Sequence, residues 1–472
     1  MPETDGTAGA AAAAPAADGG PDFPRERELL GGLPAPERFL TVDELEASTD
    51  RQLAELPGLR AWVCGHDAAG HEMRCLEAGD GPRRVLLLGH VHPEEPVGTL
   101  VLEHLLRLFA TTDVARRLGF RLSAVKVCDP TAARLNETWF SHPYDLTGYV
   151  RNVYRSAYVD QPIWTFPVEY KGYRFERPLP ETKAMMAAID AAPLDLLMPL
   201  HNCSFYGGYF YVSDADAELL DELCKVRDAS AIPPHRGEPE LPYLDTLGDG
   251  IFGAVTVAME IDYLTSHLGG ENVQVSAGCD ADEYAMRRWG SHVVLAEAPC
   301  FTSDQVADTA PAGMSRGEAK LAGIACEEAH VAWLRPRYEA ACGLVAAESP
   351  WQRAVAGYLA DAARDLPAEK EQARSEPAFR REATVAQRFD SLYNRELLAL
   401  CRLGQFGRMA AADAARDARL AALAGEVEAR VGERVAAVTA VAAIRPVPIR
   451  SRMQMQLGAL LAAMAYVAER RV

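Results

Sequence analysis

The thirteen residues Leu86–Gly98, LLLGHVHPEEPVG, set two histidines and two glutamates within the six positions from His90 to Glu95. Neutral imidazoles and carboxylates are the donors that zinc and related ions take. The same residue types after a buried strand also make an ordinary solvated loop. Within the stretch the pairing is open, because His90 and His92 are two apart and His92 can partner either Glu94 or Glu95.

Two later stretches bear on the choice. LDLLMPLH ends in His201, and SHVVLAEAP carries Glu297 near its end. Both are apolar runs with the length of a buried strand, as is RRVLLLG before the first histidines. Ligands of open α/β sheets gather outside the carboxyl ends of the strands. Three strand ends would thus bring together His92 and Glu95, His201, and Glu297. Two imidazoles and one carboxylate bind zinc and leave a position for water, while a further carboxylate serves as general base. The HxxE spacing lets His92 and Glu95 point the same way from one tight turn, which Pro93 stiffens.

The positioning elements are legible in outline. LRAWVC and HEMRCLEAG read as short strands around the loop from Gly65 to Gly70, and RLSAVKVCDP as another buried strand. VGTLVLEHLLRLFATT and PETKAMMAAIDAA have helical period, the second starting at Pro180 and Glu181. Strands that alternate with helices imply an α/β fold with crossover connections. From about Met314 the chain turns Ala-, Glu- and Arg-rich with helical spacing. The expected organisation is a tail over 1–30, an α/β catalytic unit over 31–330 and a helical region over 331–472. The helical region is expected to be an appended bundle or a surface for homo-oligomerisation.

Bulk properties exclude several classes. A formal charge of -19 over 472 residues opposes non-specific nucleic-acid binding, which needs a basic face. The ten cysteines show no CxxC spacing and do not form a disulfide framework. The first 24 residues are acidic, small and Pro/Gly-rich, without the basic start and apolar run of a secretory signal. No apolar run reaches the ~18 residues of a membrane span. A cytoplasmic protein without membrane association is the expectation.

In this order and context, the motifs GHVHPEEPVG, LLMPLHNCSFYGG and HVVLAEAP resemble the zinc carboxypeptidases and their aspartoacylase and succinylglutamate desuccinylase relatives. CDPTAARLNETWF is similar to that family's Asn-Pro-Asp stretch, PETKAM supports the match, and the whole spans roughly residues 55–310. The resemblance implies a mixed, mostly parallel twisted sheet flanked by helices and one zinc ion per chain. It makes His92, Glu95 and His201 the ligands and Glu297 the base and proton shuttle, with His90 left to support the ligands or to packing; Glu94 reads as a loop carboxylate. For the oxyanion it points to Arg134. Where relatives grip a substrate carboxylate with an Asn-Arg pair, Asn136 here is followed by Glu137. The grip then falls to Arg134, Arg151 or Arg155. Tyr284 is either the tyrosine that closes over substrate or a core residue. Asp280, Asp282 and Glu283 either line a pocket for a basic group or form a solvated loop. Cys203 and Cys300 read as small buried hydrophobes, and His235 as a loop histidine.

The expected activity is amide or peptide hydrolysis of carboxypeptidase type on a small peptide. The alternatives are an N-acyl amino acid deacylase or amidohydrolase with the same chemistry, and a non-catalytic metal-binding scaffold with a helical interaction region.

Overall fold

Nine strands of the chain share one sheet in a computed structural model that describes residues 27–140, 145–268, 277–346 and 349–470. In chain order the first strands are Leu59–His66 (β1), Glu72–Ala78 (β2), Arg83–Leu88 (β3) and Phe120–Val125 (β4). A separate hairpin follows, Val168–Tyr170 (β5) with Tyr173–Phe175 (β6). The large sheet continues with Leu196–Pro199 (β7), Tyr209–Val212 (β8), Thr246–Gly248 (β9), Ile251–Gly253 (β10) and His292–Glu297 (β11). Its spatial order is β1-β2-β4-β3-β7-β11-β8-β10-β9. The central neighbours β4, β3, β7 and β11 run parallel. The pairs β1/β2, β2/β4, β11/β8 and β10/β9 are antiparallel. The α/β expectation and the mixed sheet are thus met.

Burial explains why the central strands read as unbroken apolar runs. Successive side chains of a strand face opposite sides, and both sides of this sheet are covered. Val85 and Leu87 enter one apolar cluster with the helices Val97–Thr111 and Ile449–Glu469. Leu86 and Leu88 enter another with the helices Pro180–Asp190 and Ala281–Trp289. Arg84 crosses the second layer fully buried and donates to the carbonyls of Ala188, Ile189 and Ala192 and to Ser123 Oγ. It caps the C-terminal end of the helix Pro180–Asp190, where orphan carbonyls and the helix dipole favour a cation.

The chain after Met314 is helical, with long helices at Arg316–Ala341, Pro350–Ser375, Arg395–Ala412, Ala418–Ala442 and Ile449–Glu469. These helices share the first apolar cluster with the sheet, through residues such as Leu400, Phe406, Val431 and Leu457. Of the tail expected over 1–30, residues 1–26 lie outside the described residues. From Arg27 the chain forms a short helix, Arg27–Gly31, that buries Leu29 and Leu30. No helix among the described residues is long and apolar enough to cross a membrane.

Gly89 ends the first central strand at a close backbone approach. Its N–H reaches the Val125 carbonyl at 2.9 Å and its carbonyl accepts from Cys128 at 3.0 Å. A Cβ there would stand 2.5 Å from the Lys126 carbonyl oxygen. Gly89→Ala should lower the unfolding free energy by about 1–3 kcal/mol, read as a fall in the denaturation midpoint at unchanged m value.

Candidate metal centre

The ends of three parallel strands deliver the site. After β3 the chain reverses at His90, whose backbone takes a left-handed φ of 45° and whose ring packs on Phe140 at 5.6 Å. The turn that follows closes with the Glu95 N–H on the His92 carbonyl at 3.2 Å. Beside it, Leu200 still donates to the Leu88 carbonyl at 2.8 Å, which keeps His201 level with that turn. Strand β11 ends on Glu297 itself.

His92, Glu95 and His201 each offer a donor atom within 4.8 Å of the other two. His201 Nδ1 lies 3.0 Å from Glu95 Oε2 and 3.8 Å from Glu297 Oε1. The two imidazole centroids are 5.1 Å apart. All four side chains are buried. His92 Nδ1 and Glu297 Oε2 have no hydrogen-bond partner. Buried polar atoms are nearly always paired, so orphans on a ligand and on the neighbouring carboxylate, with a His2Glu donor set, fit a zinc ion. The pairing left open within the opening stretch resolves to His92 with Glu95. Glu94 turns instead to Arg155, whose Nη1 stands 2.7 Å from Glu94 Oε1.

Three further groups hold the ligands. The Asn202 N–H donates to Glu95 Oε2 at 3.1 Å, its Oδ1 accepts from the Val97 N–H at 3.3 Å, and its Nδ2 donates to the Ala298 carbonyl at 3.1 Å. One buried side chain thereby ties all three strand ends. Gln456, from the last helix, donates to the His201 carbonyl at 2.7 Å. Arg155 Nη2 lies 3.4 Å from His92 Nε2, and its Nη1 lies 3.8 Å from Glu95.

Burial dominates the electrostatics. It drives Glu95 well above the ordinary carboxylate range, helped by Glu94 and opposed by Arg155. It does the same to Glu297, opposed by His201 and helped by Glu95. It also drives His92 well below the ordinary imidazole range, with Arg155 and His201 adding to the shift, and lowers His201. Without a cation the four groups therefore favour their neutral forms.

The other residues singled out from the sequence fall in different places. Arg134 pairs with Asp43 at 2.7 Å and Arg151 with Glu428 at 3.2 Å; neither lines the cavity over the site. Asn136 is fully buried and engages the backbone of residue 154 and the Trp139 indole. Tyr284 donates to Asp190 and stacks near Phe166 outside the cavity lining. Arg155 alone of these candidates stands at the site. Asp280, Asp282 and Glu283 line the cavity and begin the helix Ala281–Trp289, with Asp280 as its N-cap. Cys203 and Cys300 are buried, and burial raises the Cys203 thiol. His235 is buried against Tyr206 and Tyr209, and its Nε2 donates to the Glu238 carbonyl at 2.9 Å.

A cavity of about 670 Å³ opens over the centre. Much of its wall comes from the helical region, through Tyr358, Asp361 and Arg364 of Pro350–Ser375 and Leu398, Arg402 and Gln405 of Arg395–Ala412. Arg402 donates to Gln405 Oε1 at 2.9 Å and Gln405 to the Arg155 carbonyl at 2.8 Å. Among the described residues no ion pair to a carboxylate is formed by Arg402. No motif marks these residues; they sit in ordinary helical periodicity. Asn202, adjacent to His201, carried a signal in its position.

No family model matches the sequence, and no curated protein matches it. Among solved structures, the chain is similar to a metallo-carboxypeptidase from Burkholderia cenocepacia at 14% identity and TM-score 0.32, over 55% of this chain and 60% of that one. It is similar to the carboxypeptidase A from Helicoverpa armigera at 13% identity and TM-score 0.36, over 56% and 65%. A metallo-carboxypeptidase from Pseudomonas aeruginosa matches at 13% identity and TM-score 0.32, over 55% and 60%. The chain thus spans less than two thirds of each of these three. At such identities and scores, what the centre can do must come from its own geometry.

Zinc should stabilise the fold, by about 2.7 kcal/mol at a free concentration one hundred times its dissociation constant. The pH dependence has a fixed sign. A carboxyl whose folded pKa lies above the ordinary 4.5 makes the native state bind more protons, so the metal-free protein loses stability as pH rises above that value. Zinc requires the deprotonated ligand, so its affinity rises over the same range. The zinc-induced shift in melting temperature should therefore widen as pH is raised from 5 towards 7, and the part of it that depends on this centre should be lost in His92→Ala, as read by differential scanning fluorimetry with and without chelator.

Proposed function

We propose that the protein is a zinc hydrolase that cleaves an amide or peptide bond in a small substrate, using one zinc at His92, Glu95 and His201. The observation that carries this reading is the meeting of those three donor sets with an unpartnered, buried Glu297 oxygen at one cavity. When bound, zinc supplies a Lewis acid for the scissile carbonyl and an acidified water. Glu297 takes a proton from the attacking water and hands it to the leaving nitrogen, and the proton affinity that burial confers suits the return step. Arg155, fixed by Glu94, is the cation placed to meet negative charge developing on the carbonyl oxygen. Asn202 and Gln456 keep the ligands aligned. A substrate carboxylate has Arg402 as its candidate partner, at the cavity wall contributed by the helical region.

A second reading within this chemistry, hydrolysis of an N-acyl amino acid, is favoured by a specific observation. Asn136 is used entirely inside the protein, so the Asn half of a carboxylate grip does not face substrate.

Glu297→Gln should keep the zinc of this centre and lose turnover by about 10²–10⁴-fold, whereas His92→Ala should lose both. The assay compares peptides with free C-termini, the same peptides amidated, and N-acyl amino acids. Equal cleavage of free and amidated peptides would remove the exopeptidase reading. Retention of every activity in both variants would remove hydrolysis at this centre altogether.

A further inference from the structure

A second cluster of donor side chains lies within the helical region, outside the cavity lining. Cys326 and His330 are four residues apart on the helix Arg316–Ala341, so both leave from one face. Glu396 reaches them from the first turn of the helix Arg395–Ala412. One donor atom of each lies within 4.8 Å of the other two.

His330 is 2% exposed, and neither of its ring nitrogens has a hydrogen-bond partner. Its Nε2 stands 3.9 Å from Glu396 Oε1, beyond hydrogen-bond reach. A buried imidazole with both nitrogens unpaired is an exception that asks for a ligand. The carboxylate meanwhile has a counter-cation from a third helix. Arg434, on Ala418–Ala442, directs Nε to Glu396 Oε1 at 2.8 Å and Nη2 to the same oxygen. The Arg434 side chain is 40% exposed, so it can turn into water without burying its charge elsewhere.

We propose that Cys326, His330 and Glu396 form a second site for a divalent transition metal, with Arg434 as the cation that stands in when the metal is absent. Sulfur, imidazole and carboxylate together are a zinc donor set, and cobalt(II) takes the same one. Binding transfers the Cys326 thiol proton to solvent, and the metal replaces the guanidinium at Glu396. The site joins Arg316–Ala341 to the helix that carries Arg402 and Gln405 to the cavity wall, so it would brace that wall without touching substrate.

The test uses the full chain with zinc or cobalt(II) alone. After equilibration with zinc and desalting, the wild type should hold two zinc ions per chain. Cys326→Ser and His330→Ala should each hold one, and the double variant His92→Ala/His201→Ala should also hold one. With cobalt(II), the wild type and that double variant should show sulfur-to-metal charge-transfer absorption in the near ultraviolet that Cys326→Ser abolishes. Arg434→Ala should keep the second metal and bind it several-fold more tightly, because its competitor is gone. The proposal is overturned if the wild type shows no charge-transfer band dependent on Cys326, or if Arg434→Ala binds no more tightly than wild type. Loss of the principal centre would appear differently, as a Cys326→Ser protein that holds no zinc at all.

Discussion

Two imidazoles and two carboxylates withdrawn from water at the carboxyl ends of the central strands are the constraint on which the rest of the molecule turns. Removing such groups from solvent is costly unless they are paired or neutralised. The chain meets part of that demand itself. Asn202 engages Glu95, Arg155 neutralises Glu94, and the strand ends supply backbone partners. The remaining demand is for positive charge between His92, Glu95 and His201. A cation placed there would take over from the protons that keep these groups neutral, so binding it would be coupled to proton release.

The helical region changes what kind of cavity this is. The strand ends alone would leave the centre open to long chains. Here Pro350–Ser375 and Arg395–Ala412 form a wall over it, and their apolar faces share a core with the central strands. Acidic side chains from Asp280 to Glu283 stand in the same cavity as the guanidinium of Arg402. A ligand with both a positive and a negative end would find complementary charge there.

What could be read from the sequence follows from how locally each feature is encoded. Strands β3, β7 and β11 were legible because burial on both faces makes their sequences continuous apolar runs, and His92, Glu95, His201 and Glu297 were legible because they end those runs. The short strands β9 and β10, of three residues each, carry no periodicity to detect. Arg155 was one of three arginines that spacing could not separate, since Arg134 and Arg151 differ from it only in the partners that folding provides. The wall residues escaped for a similar reason. A helical period tells which residues share a face, but a separation of 250 positions between Arg155 and Gln405 hides which face meets the cavity.

The hydrogen bond from Gln456 to the His201 carbonyl sets an order of events during synthesis. Asn202 and the strand ends it ties lie within the first 300 residues, but this support belongs to a helix that begins at Ile449. Domains form as the chain emerges, and here the His201 carbonyl gains this partner only once that helix has folded. A ribosome-bound chain lacking that helix carries the ligands without the finished arrangement. The centre is therefore completed by a contact some 255 positions away in sequence, and its final geometry reports on the folding of the helical region as much as on that of the sheet.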